Sequence, residues 1–126
     1  CRAVGIENKV IFTGVRTDVA ELMQGMDVFL FPSLFEGLPL AIVEAQAAGM
    51  PCLISDKVPM ECRKTKGLVH SIGLEAGAEG WADMALKYAG TERRNTRKQI
   101  EEAGFDIHKN AEKLQRFYLE MSGQRK

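Results

Sequence analysis

Apolar positions along this chain alternate between a short, continuous period and a helical one. Val10, Ile11, Phe12 and Thr13 form a β-rich run closed by Gly14, which predicts a strand. Thr17 or Asp18 then offers a helix cap, with Glu21 three residues after Asp18. Val19, Leu22, Met23 and Met26 follow at spacings of three, one and three, one face of a helix. DVFLFP, residues 27–32, is almost wholly apolar and ends at proline, as a strand buried on both faces of a parallel sheet would. Residues 33–38 read as a loop. Pro39 suits a first helical position, and Gly49 followed by Met50 and Pro51 ends that helix. PCLIS, residues 51–55, predicts the next buried strand. A loop follows, with a helix start near Pro59, and Gly67–Ile72 predicts a further strand. Ala78–Ala89 predicts a helix with Trp81, Ala85 and Tyr88 on one face, which places both aromatics in the core. Thr91–Ala103 reads as a charged helix with a solvated face, broken by Gly104. Asp106 caps a last helix whose Ile107, Ala111, Leu114, Tyr118 and Met121 are spaced four, three, four and three.

Strands alternating with helices imply an α/β fold: a Rossmann-like parallel sheet of about four strands with helices on both faces. The expected organisation is one partial domain over residues 1–126, with an α/β part at 1–89 and a helical tail at 90–126. Its 126 residues fit one domain, and 45% hydrophobic with 27% charged residues is ordinary globular material. Seventeen basic residues balance seventeen acidic ones, so no field favours nucleic acid and no nucleic-acid partner is expected. No apolar run approaches the length of a bilayer crossing. The three cysteines are odd in number and lack C-x-x-C spacing, which points to reduced thiols in a cytosolic setting and away from disulfides or zinc. The chain opens Cys-Arg-Ala-Val-Gly-Ile without methionine, and Gly5 looks like a residue just past a helix end, so a piece of a longer protein is expected.

In parallel sheets, ligands bind beyond the carboxyl ends of the strands. That rule selects the loops Gly14–Thr17, Ser33–Leu38 and Ser55–Pro59. The middle loop leads into a helix N-terminus, whose free amides and aligned peptide dipoles favour an anion. Pro39 has no N–H, so Leu38, Leu40 and Ala41 are the expected donors to a phosphate or diphosphate. Glu44 lies in the second turn of that helix, and helical side chains lean toward the N-terminus. Beside a phosphate, a carboxylate repels the charge but suits the hydroxyls of a sugar. Glu36, before the helix, would face the other end of a diphosphate. Spacing alone leaves the plainer alternative open, a solvated loop carboxylate and an exposed helix carboxylate. Ala45, Ala47, Ala48 and Gly49 allow close packing of helix on sheet.

PSLFEGLPLAIVEAQAAGMP, residues 32–51, resembles the signature of retaining glycosyltransferases of family 4, which have the GT-B fold. Pro32, Ser33, Glu36, Gly37, Glu44, Ala45, Gly49 and Pro51 match its proline–serine pair, its E-x7-E and its small-residue helix ending in Gly-x-Pro. VIFTG, DVFLFP and ISD also fit. The resemblance covers roughly residues 4–70 well and the tail loosely, and is nearest to bacterial capsule and exopolysaccharide transferases. It implies the incomplete C-terminal, donor-binding half of a GT-B enzyme. The implied activity is sugar transfer with retention from a UDP- or GDP-sugar to a saccharide or lipid-linked saccharide, without a metal. No D-x-D occurs, and His70 and His108 are isolated. The family roles carried onto this chain make Glu36 the catalytic contact near the reacting carbon. Gly37, Leu38, Pro39 and Leu40 form the donor loop, with the Leu38 and Leu40 amides on the diphosphate, and Glu44 takes the ribose hydroxyls. Val15 and Arg16 would lie near the base, although a solvated surface charge explains Arg16 nearly as well. Pro39 stands where many relatives have a second glycine, which removes one phosphate donor.

By the same resemblance, the basic pair that neutralises the diphosphate and the acceptor-binding N-terminal domain lie before residue 1, and the chain alone is expected to be inactive. The cytoplasm is the expected location, with a peripheral position at the cytoplasmic membrane face left open for the longer protein. Two alternatives stay in view: a GT-B nucleotide-sugar epimerase, whose signatures differ from this E-x7-E loop, and a non-enzymatic α/β interaction domain. A receiver-like domain of the latter kind needs an acidic cluster at the first strand end, where this chain has Gly14, Val15 and Arg16. Asp56 and Glu61 fit a helix cap near Pro59 better than a substrate contact.

Overall fold

The computed structural model describes residues 1–123. Three parallel strands, β1 (Phe29–Phe31), β2 (Cys52–Ser55) and β3 (Val69–Ile72), form an open sheet in the order β1-β2-β3. Five α-helices accompany them: α1 (Val19–Gln24), α2 (Leu40–Ala47), α3 (Gly77–Tyr88), α4 (Arg97–Glu102) and α5 (Ile107–Gly123). The α/β class and the parallel, Rossmann-like sheet are as the sequence predicts. Register aligns Phe29 with Cys52 and Val69, and Phe31 with Ile54. Strand side chains alternate between faces, so these residues share one face. They pack with Met23, Ile42, Ala45, Met50, Val58 and Cys62 into the main core, beneath α1 and α2. Each fully buried aliphatic side chain there contributes about 1.5–3 kcal/mol.

Cys52 lies wholly inside this core, and burial, with the Cys62 thiol beside it, pushes its pKa up to about 12. The thiolate is the reactive form. Iodoacetamide applied to the folded protein, with the sites mapped by mass spectrometry, is therefore expected to label exposed Cys1 and to spare buried Cys52 and Cys62 until denaturant is added.

The sheet departs from the expected count at its first strand. Val10 is extended (φ −119°, ψ 129°), but Val10–Thr13 pairs with no strand, leaving three strands among the described residues. Ile11 and Phe12 are 87% and 85% exposed. A strand is held by ladder bonds and by burial of alternate side chains, and this run has neither, whatever its composition favours.

The expected helix over Thr91–Ala103 forms only from Arg97. The preceding segment is spent on the ends of two other helices. Arg93 donates to the carbonyls of Met23 (2.8 Å), Met26 and Ala48 (2.7 Å), and Thr96 Oγ1 donates to that of Gln46 (2.7 Å), with the Ala47 carbonyl at 3.3 Å. The Met23, Ala47 and Ala48 carbonyls lie at the ends of α1 and α2, where helical partners run out; Gln46 accepts a further bond from the Gly49 amide, and Met26 lies just past α1. The segment passes so close that a Cβ on Gly49 (φ 70°) would sit 2.4 Å from the Arg94 carbonyl oxygen. Glycine is required there by both space and backbone. The charged run is thus a strap as well as a solvated face.

Trp81 and Tyr88 are half-buried; α3 has no fully buried residue. Trp81 Nε1 donates to the Gly73 carbonyl at 3.3 Å, and Tyr88 stacks on His70 with ring centroids 3.8 Å apart. Near Pro59 the chain makes only a 3-10 turn, Met60–Cys62, without a side-chain cap; Asp56 instead pairs with Lys57 at 3.0 Å. Asp106 does cap α5, accepting from the His108 and Lys109 amides at 2.9 and 3.1 Å.

His70 has its pKa lowered, first by burial and then by the charge of Arg63. The folded state therefore resists a proton that the unfolded chain accepts below about pH 6.5. Stability is expected to be level above that value and to fall as pH drops through it. Urea unfolding at pH 7, 6 and 5 checks this, and His70→Phe, which keeps an aromatic partner for Tyr88, should flatten part of the fall.

Candidate functional site

β1 delivers the chain to Pro32, and residues 33–39 cross the carboxyl end of the sheet before α2 begins. Two hydroxyls shape this crossing. Ser55, fully buried at the end of β2, donates to the Ser33 carbonyl and accepts from the Lys57 amide at 3.3 Å. Ser33 Oγ donates to Glu36 Oε1 at 2.8 Å, which holds that half-buried carboxylate against its own loop.

Pro39 is buried and caps α2 from one position earlier than the sequence predicts, with φ −74°. It contributes no side-chain cap. The Ile42 amide bonds to the Pro39 carbonyl at 3.1 Å, whereas the amides of Gly37, Leu38, Leu40 and Ala41 meet no hydrogen-bond acceptor among the described residues. The start of this eight-residue helix is thus a set of unsatisfied donors at the positive end of the peptide dipoles, the chemistry that holds an anion.

Glu44 lies one turn further along α2, exposed, with no side-chain hydrogen bond or ion pair among the described residues. Its neighbours Val43, Ala45 and Gln46 are buried. The helix therefore turns Glu44 outward from the core and keeps it on the element that carries the free amides. Glu36, Gly37, Leu38, Pro39, Leu40 and Glu44 all lie on this loop–helix junction. Val15 and Arg16 lie on the earlier loop before α1. Val15 is fully exposed, and the Arg16 guanidinium grips the Asp18 carboxylate at 2.7 and 2.5 Å. No hydrogen bond or ion pair joins either residue to the Ser33–Leu40 loop among the described residues.

Gln46 escapes a reading of the sequence. Buried without exposure, it donates from Nε2 to the carbonyls of Ile42 (3.0 Å) and Cys62 (2.8 Å). Its Oε1 accepts from the Lys64 amide (2.8 Å), the Thr65 amide (3.0 Å) and Thr65 Oγ1 (3.0 Å). It locks the back of the helix whose front carries Glu44. The available signal was its position four residues after Ile42, on the buried side of α2. Ser55 opens one of the loops that the strand-end rule selects, but its bond to the Ser33 carbonyl carries no signal in the sequence.

The family model described as "Glycosyl transferases group 1" matches residues 1–87. The chain belongs to the group 1 glycosyltransferases. It is 34% identical over 120 residues to "Putative glycosyltransferase EpsF" of Bacillus subtilis (strain 168), covering 93% of this chain and 31% of that protein. It is 29% identical over 126 residues to "UDP-Gal:alpha-D-GlcNAc-diphosphoundecaprenol alpha-1,3-galactosyltransferase" of Escherichia coli, covering 94% of this chain and 32% of that protein. A shorter match, 43% over 47 residues, covers 37% of this chain and 12% of "N,N'-diacetylbacillosaminyl-diphospho-undecaprenol alpha-1,3-N-acetylgalactosaminyltransferase" of Campylobacter jejuni subsp. jejuni serotype O:2 (strain ATCC 700819 / NCTC 11168). This group 1 glycosyltransferase chain spans about a third of the length of the first two curated relatives.

Proposed function

We propose that the full-length protein transfers a sugar from a UDP- or GDP-sugar to a growing saccharide or lipid-linked saccharide, with retention at the anomeric carbon. The observation that carries this reading is the row of unpartnered amides at the start of α2, with Glu36 before it and Glu44 one turn after it. The amides of Leu38 and Leu40 receive the diphosphate. As the bond from the anomeric carbon to the diphosphate oxygen breaks, the electron pair moves onto that oxygen, and donors already fixed in place stabilise the growing charge. Glu44 accepts from the ribose hydroxyls, and Glu36 orients the donor sugar near the reacting carbon. Val15 and Arg16 lie toward the base. Holding donor and acceptor in reach of each other supplies much of the remaining acceleration.

In this proposal the acceptor site belongs to an N-terminal domain outside the present chain, and the basic pair that neutralises the diphosphate lies upstream of residue 1. The isolated 126-residue chain is then inactive, and measurable sugar transfer by it would overturn that part. The proposed location is the cytoplasm, with peripheral contact at the cytoplasmic membrane face; among the described residues no helix is long and apolar enough to cross a membrane. The test is nucleotide release by the full-length protein with UDP-glucose, UDP-galactose, UDP-N-acetylglucosamine and GDP-mannose, beside calorimetry with UDP and GDP. Binding of neither nucleotide sinks the proposal, and the anomeric coupling of the product by NMR decides retention.

A further inference from the structure

We infer that Ser55 and Ser33 are positioning residues for the reaction, forming a hydrogen-bonded relay that runs from the end of β2 to the carboxylate of Glu36. The inference rests on the proposed role of Glu36 and adds how that carboxylate is aimed. A hydroxyl with no exposure needs partners, and Ser55 finds two: the Ser33 carbonyl, 22 positions earlier in the chain, and the Lys57 amide. The first bond ties the loop after β1 to the end of β2, and thereby fixes the backbone of Ser33.

From that backbone the Ser33 hydroxyl reaches both Glu36 Oε1 at 2.8 Å and the Phe35 carbonyl at 3.2 Å. It has one proton to give. The shorter bond to a charged acceptor is the stronger of the two, so the proton goes to Glu36. Glu36 Oε2 makes no hydrogen bond among the described residues. One carboxylate oxygen is held by the protein and the other is left for the ligand. A carboxylate on an irregular loop has several free torsions, and the relay removes that freedom before the donor arrives. Tight placement of a reacting group is worth most in the transition state. The relay therefore acts on kcat more than on donor affinity.

The experiment uses full-length protein and whichever of the four nucleotide-sugars above it turns over. Ser55→Ala and Ser33→Ala are each expected to lower kcat roughly tenfold, with KM for the donor changed less than about twofold. Ser33→Thr retains the hydroxyl and should recover kcat to within about threefold of the parent. In a Glu36→Ala background, either serine substitution should add less than about a twofold further loss, because its route of action is gone. Full multiplication of the two effects, or unchanged kcat in the serine variants, overturns the relay. If Ser55→Ala does not fold, as judged by circular dichroism, the half-buried Ser33 variants decide the matter. Unchanged kcat in Glu36→Ala overturns the proposed role of Glu36 itself. A crippled Glu36→Ala beside unaffected serine variants overturns the relay alone.

Discussion

Gln46→Leu is expected to destabilise the fold by about 3–5 kcal/mol. Leucine has nearly the volume of glutamine, so a cavity is not the cause. The loss comes from what leucine leaves behind. The Cys62 carbonyl and the Thr65 amide, both bonded to Gln46 and buried with it, are left without partners, as is the Lys64 amide at its edge. An unsatisfied buried polar group costs about 1–3 kcal/mol. Two or three of them consume a large share of the roughly 5–15 kcal/mol that hold a domain together. Gln46→Glu should be no better, since it turns an oxygen toward the Ile42 and Cys62 carbonyls and buries a charge. Hydrogen exchange of the α2 amides in full-length protein reads this locally. Protection within about 1 kcal/mol of the parent in the leucine variant would show that the network carries little.

Two positions earlier, the expected result is reversed. Glu44→Ala should leave stability within about 0.5 kcal/mol, because the side chain is exposed and makes no contact that folding depends on. Activity should fall about a hundredfold or more in kcat/KM. A carboxylate accepting from two ribose hydroxyls makes two hydrogen bonds with a charged partner, each worth about 1.5–3 kcal/mol. Glu44→Gln keeps one acceptor oxygen and should recover part of the loss. Steady-state kinetics of full-length protein, with a parallel unfolding curve, separates the two quantities. A variant that loses stability and keeps activity refutes the assignment. Under the proposed function, Glu44 and Gln46 divide one helix between an exposed face for the ligand and a buried face for the fold.

Much of the architecture was legible in the sequence for reasons that hold locally. β1, β2 and β3 lie inside apolar runs bounded by proline, glycine or charge, and α2 lies between Pro39 and Gly49. Those signals act within a few residues. Val10–Thr13 was misread because strand formation is a tertiary event: composition favours it, but a partner and a cover decide it. Residues 91–96 were misread for the opposite reason. Their composition suits a helix, yet Arg93 and Thr96 answer to carbonyls between Met23 and Ala48, remote in the chain. At the site, spacing alone left Glu36 and Glu44 open to a plainer reading, and the resemblance of the whole E-x7-E segment is what singled them out. Gln46, and the tie from Ser55 to the Ser33 carbonyl, lay hidden, because a polar letter in apolar surroundings tells nothing until its partners are known.

The strap also settles where this fold can be cut. Composition invites a boundary near residue 90, where the compact α/β pattern gives way to charge. Ending the chain there would remove Arg93 and Thr96 from the helix-end carbonyls, buried Ile100 from the core, and Gln99 from the Lys66 amide. Gly104, the left-handed residue after α4, is a less costly place to part the chain: a break there spares the Arg93, Thr96, Ile100 and Gln99 ties and gives up the Phe105 contacts with Ile100 and Lys64, the Asn110 bond to the Gly104 carbonyl and the exposed Lys109–Glu101 pair. Deletion series, fusions and segment exchanges with relatives are best joined there, so that the strap travels with the helices it fastens.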